Sequence, residues 1–265
     1  MTDKTPGDWK HYDDFAAGIA TNRLPGSTAL VGRTLRLQLA DGTLTLRPMS
    51  ASQLAWQEEG GRGGSGVDWY EAIEAAEQLF FVDITFQARP CEALSVGLNL
   101  QTLRVLAVRC RIRSADEAGA EPRVAQDFQP GTLGDDPAQA SGEPPAPTRD
   151  LIGLRTFQTY SPQHTYEHTY LSTQRYAWQC LVGVQRGHGD VDLASYWRLA
   201  EDVYVFTFRE FLIPVASVFL FDFRSLRSTG KFLGITGDGA IANSPAGAYI
   251  TKASMTFYPT DAAPV

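Results

Sequence analysis

The sequence predicts a mainly β protein, built as a tandem of two similar antiparallel β-barrels with one or two short helices. A hairpin signal is the first observation behind this prediction. Leucines alternate with polar residues from Leu35 to Leu39 and again from Thr43 to Leu46, on either side of Asp41-Gly42. That dipeptide between alternating segments is typical of a tight β-hairpin. The second observation is the abundance of further strand-like segments, and the third is an internal repeat.

Strand-like segments recur along the chain, bounded by turn-forming residues. We expect strands at residues 79–87, 93–100, 104–113, 155–160, 164–171, 175–183, 203–211, 216–223 and 249–258. One short helix is expected at Trp69–Gln78, because Ala and Glu are common there and both favour helices.

The internal repeat places similar landmarks in the same order at an offset of about 122 residues. Leu30-Val31-Gly32 recurs as Leu151-Ile152-Gly153, and Ala55-Trp56-Gln57 recurs as Ala177-Trp178-Gln179. We therefore expect an N-terminal barrel over residues 1–115 and a C-terminal barrel over 151–265. The segment between them, 116–150, is rich in Pro, Ala and Gly and is expected to be a linker.

Composition excludes several classes of function. The net charge of −7 argues against a nucleic-acid partner. The longest apolar run, Phe211–Phe221, is shorter than the roughly 20 residues that span a bilayer. The three cysteines form no metal or disulfide pattern, and from the polar, acidic first residues no signal peptide is expected. A cytoplasmic protein is expected, and a homodimer is left open.

Aligning the two copies identifies a candidate site in the second one. The first copy presents an apolar inward set: Leu37, Leu39, Leu44, Leu46, Trp56, Phe80 and Phe86. The second presents Gln158, Tyr160, Tyr166, His168, Trp178, Tyr204 and Glu210 at the same places. Burying such polar groups without partners is costly, so they are expected to surround water, each other or a polar ligand. The alternative is that this face meets solvent or a subunit interface.

The stretch from His164 to Tyr170 carries the densest group of reactive side chains. His164 and His168 would lie about 13 Å apart on a straight strand, too far to share one metal ion. No metal is therefore expected, and the leading interpretation below also needs no cofactor. A general acid/base site fits better, with His168, Glu210 and Tyr166 as catalytic residues. The expected substrate-binding residues are Tyr160, Gln158, His164, Tyr170, Trp178, Tyr204 and Arg209, the last of these for an anionic substrate.

The second half of the chain resembles the C-terminal domain of the MoaF family. The segments that carry this resemblance are Tyr160–Leu171 (YSPQHTYEHTYL), Tyr176–Leu181 (YAWQCL), Phe208–Pro214 (FREFLIP) and Arg227–Lys231 (RSTGK). Ala40–Thr43 (ADGT), Leu54–Gln57 (LAWQ) and Phe81–Ile84 (FVDI) are similar to that family's N-terminal domain. The resemblance implies lipocalin-like (calycin) barrels. The family name refers to molybdenum cofactor biosynthesis, but it implies no reaction, and molybdopterin binding is not expected from it.

Barrels of this type also resemble phenolic acid decarboxylases, which use Tyr, Arg and Glu without a cofactor, and Tyr166, Arg209 and Glu210 are of those types. The leading expectation is a cofactor-independent lyase, isomerase or cyclase. It would act on a small apolar or aromatic compound with a carbonyl or carboxylate group. A non-catalytic lipocalin-like binding or regulatory protein is the alternative, and a structural interaction module is a third.

Overall fold

The computed structural model describes residues 10–265, which form two closed antiparallel eight-stranded barrels in tandem. This confirms the predicted fold class. In the first barrel each strand pairs with the next, and β8 returns to pair with β1. Its strands are β1 (Leu35–Leu39), β2 (Gly42–Pro48), β3 (Gln53–Gly60), β4 (Gly64–Ala76), β5 (Leu79–Thr85), β6 (Glu92–Asn99), β7 (Arg104–Ile112) and β8 (Val124–Leu133).

The second barrel closes through the pairing of β12 with β13, and a short strand, β9 (Ala146–Pro147), is added to the outside of β13. Its strands are β10 (Leu154–Ser161), β11 (His164–Tyr170), β12 (Arg175–Val182), β13 (Gly189–Ala200), β14 (Val203–Arg209), β15 (Val215–Asp222), β16 (Arg227–Ile235) and β17 (Ile241–Met255). Two short helices are α1 (Tyr12–Ala16) and α2 (Ala115–Ala118), and 3-10 turns lie at Pro137–Gln139 and Thr260–Ala262. Among residues 10–265, no helix is long and apolar enough to cross a membrane.

Local details repeat between the barrels. The hairpin turns after β4 and β13 place Gln78 and Asp202 at positive φ, 56° and 54°. The Trp56 indole donates a hydrogen bond to Asp68 at 2.7 Å, and Trp178 donates to Asp192 at 2.9 Å. Non-glycine residues adopt positive φ only at a cost, so this recurrence at the repeat offset points to two copies of one backbone.

Each barrel has its own interior core, and a third apolar cluster lies between the barrels. Phe80 and Val82 point into the first barrel, whereas Leu79 and Phe81 belong to the cluster between barrels. Both faces of β5 are therefore buried. This explains why the segment shows an apolar run instead of the alternation that a half-exposed strand would have.

The expected linker at 116–150 is largely structured, so the first barrel does not end at residue 115. Residues 124–133 form β8, which closes that barrel by pairing with β7 and β1. The low hydrophobicity of the segment was misleading, because ladder hydrogen bonds hold β8 in place. Phe128 also stacks on Trp197 of the second barrel, with ring centroids 5.5 Å apart.

The helix expected at Trp69–Gln78 is wrong, because these residues belong mostly to β4. Trp69 pairs with Thr85 and Tyr70 with Ile84 across the ladder with β5. The pairing of β4 on both sides, with β3 and β5, overrides the helical propensity of Ala and Glu.

A buried ionic cluster joins the barrels. Lys231 on β16 places its Nζ 2.9 Å from Glu71 Oε1 on β4 and 3.8 Å from Asp83 Oδ2 on β5. The ammonium also lies 4.6 Å from the centroid of the Trp69 ring. Burial is the main cause that raises the pKa of Asp83 to about 6, and the Lys231 charge opposes this effect.

We expect Lys231→Met to lower the free energy of unfolding by about 3–5 kcal/mol, because it leaves the buried Asp83 without a cation and Glu71 with Arg23 alone. The loss should be larger at pH 8 than at pH 5, where Asp83 gains a proton. Urea unfolding at both pH values measures it. The matched control is Arg36→Met, which breaks an exposed ion pair with Asp135 and should cost less than about 1 kcal/mol. Equal losses for the two variants would contradict the buried cluster's importance.

Candidate functional site

A small cavity lies inside the second barrel, near the end where β14 finishes. It has a volume of about 40 Å³. Five of the residues expected at the site line it: His168, Glu210, Tyr166, Tyr160 and Trp178. The β-strand period places them there, because His168 on β11 pairs with Trp178 on β12, and both point inward.

The three residues expected to be catalytic therefore share one cavity. Tyr166 donates a hydrogen bond from its Oη to Gln185 Oε1 at 2.7 Å. His168 is buried among aromatic rings, 5.3 Å from that of Tyr176 and 5.8 Å from that of Phe206. Within the described part of the chain, its Nδ1 is buried without a hydrogen-bond partner.

Four other expected site residues lie in or beside the barrel but away from the cavity. Gln158 and Tyr170 are hydrogen-bonded within the interior, Gln158 to Thr156 and Tyr170 also to Thr156. His164 contacts Ser161, with its Nδ1 3.0 Å from the hydroxyl oxygen. Tyr204 donates to Asp150 at 3.2 Å. Tyr204 and Glu210 are six residues apart along one extended segment, which corresponds to about 20 Å. The two side chains therefore cannot both contact one small ligand.

Arg209 does not take part in the cavity either. It alternates with Phe208 and Glu210, which both line the cavity, so its side chain lies on the other face of the strand. Burial lowers the pKa of Arg209, and charges on the first barrel, including Glu121 and Arg113, also act on it. A Tyr–Arg–Glu set like that of the phenolic acid decarboxylases is therefore not assembled here.

Six residues of the cavity wall were not expected from the sequence: Phe15, Ile19, Tyr176, Gln185, Phe208 and Phe232. Strand alternation could have indicated two of them, since Tyr176 precedes Trp178 by two positions and Phe208 precedes Glu210 by two. No pattern indicated Phe15 and Ile19, because they lie before the first copy of the repeat.

Burial makes the site electrically neutral near pH 7. It lowers the pKa of His168 to about 3, with the Glu167 carboxylate acting weakly in the opposite direction. Burial also raises the pKa of Glu210 well above its usual value, reinforced by Asp192 and Asp190. The pKa of Asp192 is itself raised to about 7, mainly by burial. His168 is therefore a neutral imidazole near pH 7, and burial favours the protonated form of Glu210.

This arrangement can donate and accept hydrogen bonds inside an apolar, aromatic wall. Glu210 and the tyrosine hydroxyls can donate, and the neutral imidazole has one donor and one acceptor nitrogen. No lysine or arginine of the described residues lines the cavity, so a ligand's negative charge would find no counter-ion. Residues 10–265 also contain no group of three or more His, Cys, Asp or Glu positioned to hold a metal ion.

Comparison with known proteins identifies relatives of both halves. The family model described as MoaF N-terminal domain matches residues 7–114, and the MoaF C-terminal domain matches residues 145–256. Protein MoaF from Klebsiella aerogenes is 45% identical over 124 residues, which are 46% of this chain. The match covers 43% of that protein, less than half of its length.

Two solved structures are similar to the chain at low TM-scores. A candidate beta-lactamase from Burkholderia vietnamiensis has a TM-score of 0.33 at 14% identity, covering 39% of this chain and 95% of its own. The DNA polymerase III beta chain from Streptococcus pneumoniae has a TM-score of 0.14 at 7% identity, covering 90% of this chain and 82% of its own.

The lowered pKa of His168 has a measurable effect on stability. Between pH 6.5 and about 3 the histidine of the unfolded chain is protonated, whereas the buried imidazole of the folded chain stays neutral. The free energy of unfolding should therefore fall as the pH falls through this range. We expect the His168→Phe variant to lack this contribution, which is at most about 1.4 kcal/mol per pH unit. Urea unfolding from pH 4.5 to 7.5 measures the difference. Tyr204→Phe, which removes a polar atom outside the cavity, should keep the slope of the unmodified chain. An identical slope in His168→Phe would show that His168 is not buried in a neutral form.

Proposed function

The chain belongs to the MoaF family, and we propose that its second barrel is a cofactor-independent acid/base enzyme: a lyase, isomerase or cyclase. Its substrate would be a small, uncharged apolar or aromatic compound with a carbonyl group. The alternative is a lipocalin-like protein that binds such a compound without converting it.

One observation supports this proposal above the others. His168 Nδ1 is buried without a hydrogen-bond partner among residues 10–265, and the Glu210 side chain beside it is also buried. Both groups line the same cavity. Buried polar groups are nearly always paired, so an unpaired imidazole nitrogen that shares a cavity with a buried carboxyl group is typical of a site that a ligand completes.

The chemistry of the wall narrows the substrate class. A carboxylate would need a cation, and Arg209 faces away, so we favour a carbonyl over a carboxylate as the polar group. The protonated Glu210 can stabilise negative charge that develops on a carbonyl oxygen. The Tyr166 hydroxyl can do the same when its proton turns from Gln185 to the substrate. The neutral imidazole of His168 can accept a proton from the neighbouring carbon. Trp178 offers an aromatic surface against which a planar substrate can pack.

The substrate is best found by mass spectrometry of small molecules that co-purify with the native protein. With that compound in hand, we expect His168→Ala and Glu210→Gln to lower kcat/KM by about 10²–10⁴-fold, the usual contribution of a general acid or base. Tyr204→Phe is the matched control and should retain full kcat/KM. If both site variants turned the compound over at the native rate, the assignment of these residues would be wrong.

Affinity separates the enzyme from the binding protein. In an enzyme, His168→Ala and Glu210→Gln reduce kcat far more than they weaken binding, because the groups act mainly in the transition state. In a binding protein no conversion of the compound occurs, and the same substitutions raise its Kd. Product analysis by mass spectrometry alongside calorimetric titration distinguishes the two results.

A further inference from the structure

An N-terminal strap, residues 11–24, covers the cavity end of the second barrel. It includes α1, and hydrogen bonds fix it at several points. Tyr12 Oη donates to the carbonyl oxygen of Phe232 at 2.6 Å and accepts from the Ser244 amide at 3.1 Å. Farther along, Gly247 N donates to Ile19 O at 3.1 Å, and Asn22 N donates to Tyr160 O at 2.9 Å.

These last two bonds show where the strap sits. Tyr160 lies near the end of β10 and Gly247 lies on β17, and the β10–β17 ladder extends only as far as the pair Thr159–Tyr249. Beyond that pair, backbone groups of β10 and β17 form hydrogen bonds with the strap instead of with each other. The strap therefore replaces a missing part of the barrel wall.

The strap also fills the space inside the barrel. Phe15 is 6% exposed and Ile19 is 2% exposed, and both side chains line the cavity beside the residues of the proposed site. The Phe15 ring packs edge-on against Phe232, with centroids 5.7 Å apart. With both side chains in place about 40 Å³ remains, whereas an engineered apolar cavity that takes up benzene has a volume of about 150 Å³.

The His164 ring packs directly against the strap backbone. A Cβ added at Gly18 would lie 2.7 Å from His164 Cε1, so the ring and the strap backbone are in direct contact there. Gly18 has φ of +90°, which also favours glycine. His164, expected to bind substrate, is thus a contact of the strap.

We propose that Phe15 and Ile19 occupy the part of the cavity that a substrate enters, and that these two side chains set the largest compound the second barrel accepts. The inference rests on the proposed function for the polar residues of the cavity. It assigns specificity to the strap, a segment outside both copies of the repeat. With the two side chains truncated, the cavity should accept larger aromatic ketones, and His168 and Glu210 remain available to bind them.

The test uses two uncharged ketones that differ in size, acetophenone and 2-acetonaphthone, titrated into the full chain by calorimetry. We expect Phe15→Ala/Ile19→Ala to bind 2-acetonaphthone at least tenfold more tightly than the native chain does. Phe223→Ala is the matched control, because Phe223 is also 6% exposed in the same core but does not line the cavity. It should give no gain.

Circular dichroism and urea unfolding establish that each variant is folded. If the double variant does not fold, Phe15→Leu decides the matter, with a smaller gain of the same sign expected. A folded variant that binds 2-acetonaphthone no better than the native chain, or a gain matched by Phe223→Ala, overturns the proposal.

A second pair of variants separates this inference from the proposed function. In the strap-truncated chain, His168→Phe and Glu210→Gln should each remove most of the gained affinity. If the gain persists in both, the strap limits the size of the ligand but His168 and Glu210 do not bind it, and the proposed function fails alone. If truncation brings no gain while His168→Phe and Glu210→Gln still abolish turnover of the co-purified compound by the native chain, the strap inference fails alone.

Discussion

A closed barrel leaves its inward side chains no access to bulk solvent, so its interior must be filled with apolar atoms or supplied with hydrogen-bond partners. The two barrels share one backbone fold but meet this constraint with different side chains. Leu44, Leu46 and Phe86 fill the first interior with hydrocarbon. In the second, Tyr166, His168 and Glu210 stand at the same repeat positions and line a cavity.

The two barrels are also closed by different means. At the first, Arg89 lies 4.9 Å from the ring centroids of both Trp56 and Phe86, and its guanidinium pairs with Glu58. Arg109 pairs with the same Glu58, so ionic groups from the barrel's own strands and loops close that end. At the second barrel an apolar segment from outside the repeat performs this task.

Alternation and the repeat allowed most of the architecture to be predicted, because both are properties of single strands and of their order. The second-barrel side chains expected to point inward, such as Tyr160 and Trp178, are buried as the offset required. The failures have a common physical cause. β4 and β8 are strands because they pair with the strands on either side of them. The Ala-rich composition of β4 and the Pro-rich composition around β8 do not indicate this pairing. Alternation also does not show how far along the barrel a side chain lies. Tyr204 and Glu210 were expected at one site because they share a face, but they lie at opposite ends of the strand.

The contacts of Glu71 explain why the first barrel matters to a site that it does not line. Its carboxylate pairs with Lys231, which joins the two barrels, and also with Arg23 at the end of the strap. Farther along, Ser27 N donates to Ala72 O on β4 at 2.7 Å, so the chain leaving the strap is fixed to the first barrel. One end of the cover is therefore held by the second barrel and the other by the first. A C-terminal barrel without its tandem partner would lose both the anchor and the strap, and the side chains around His168 would then meet solvent directly.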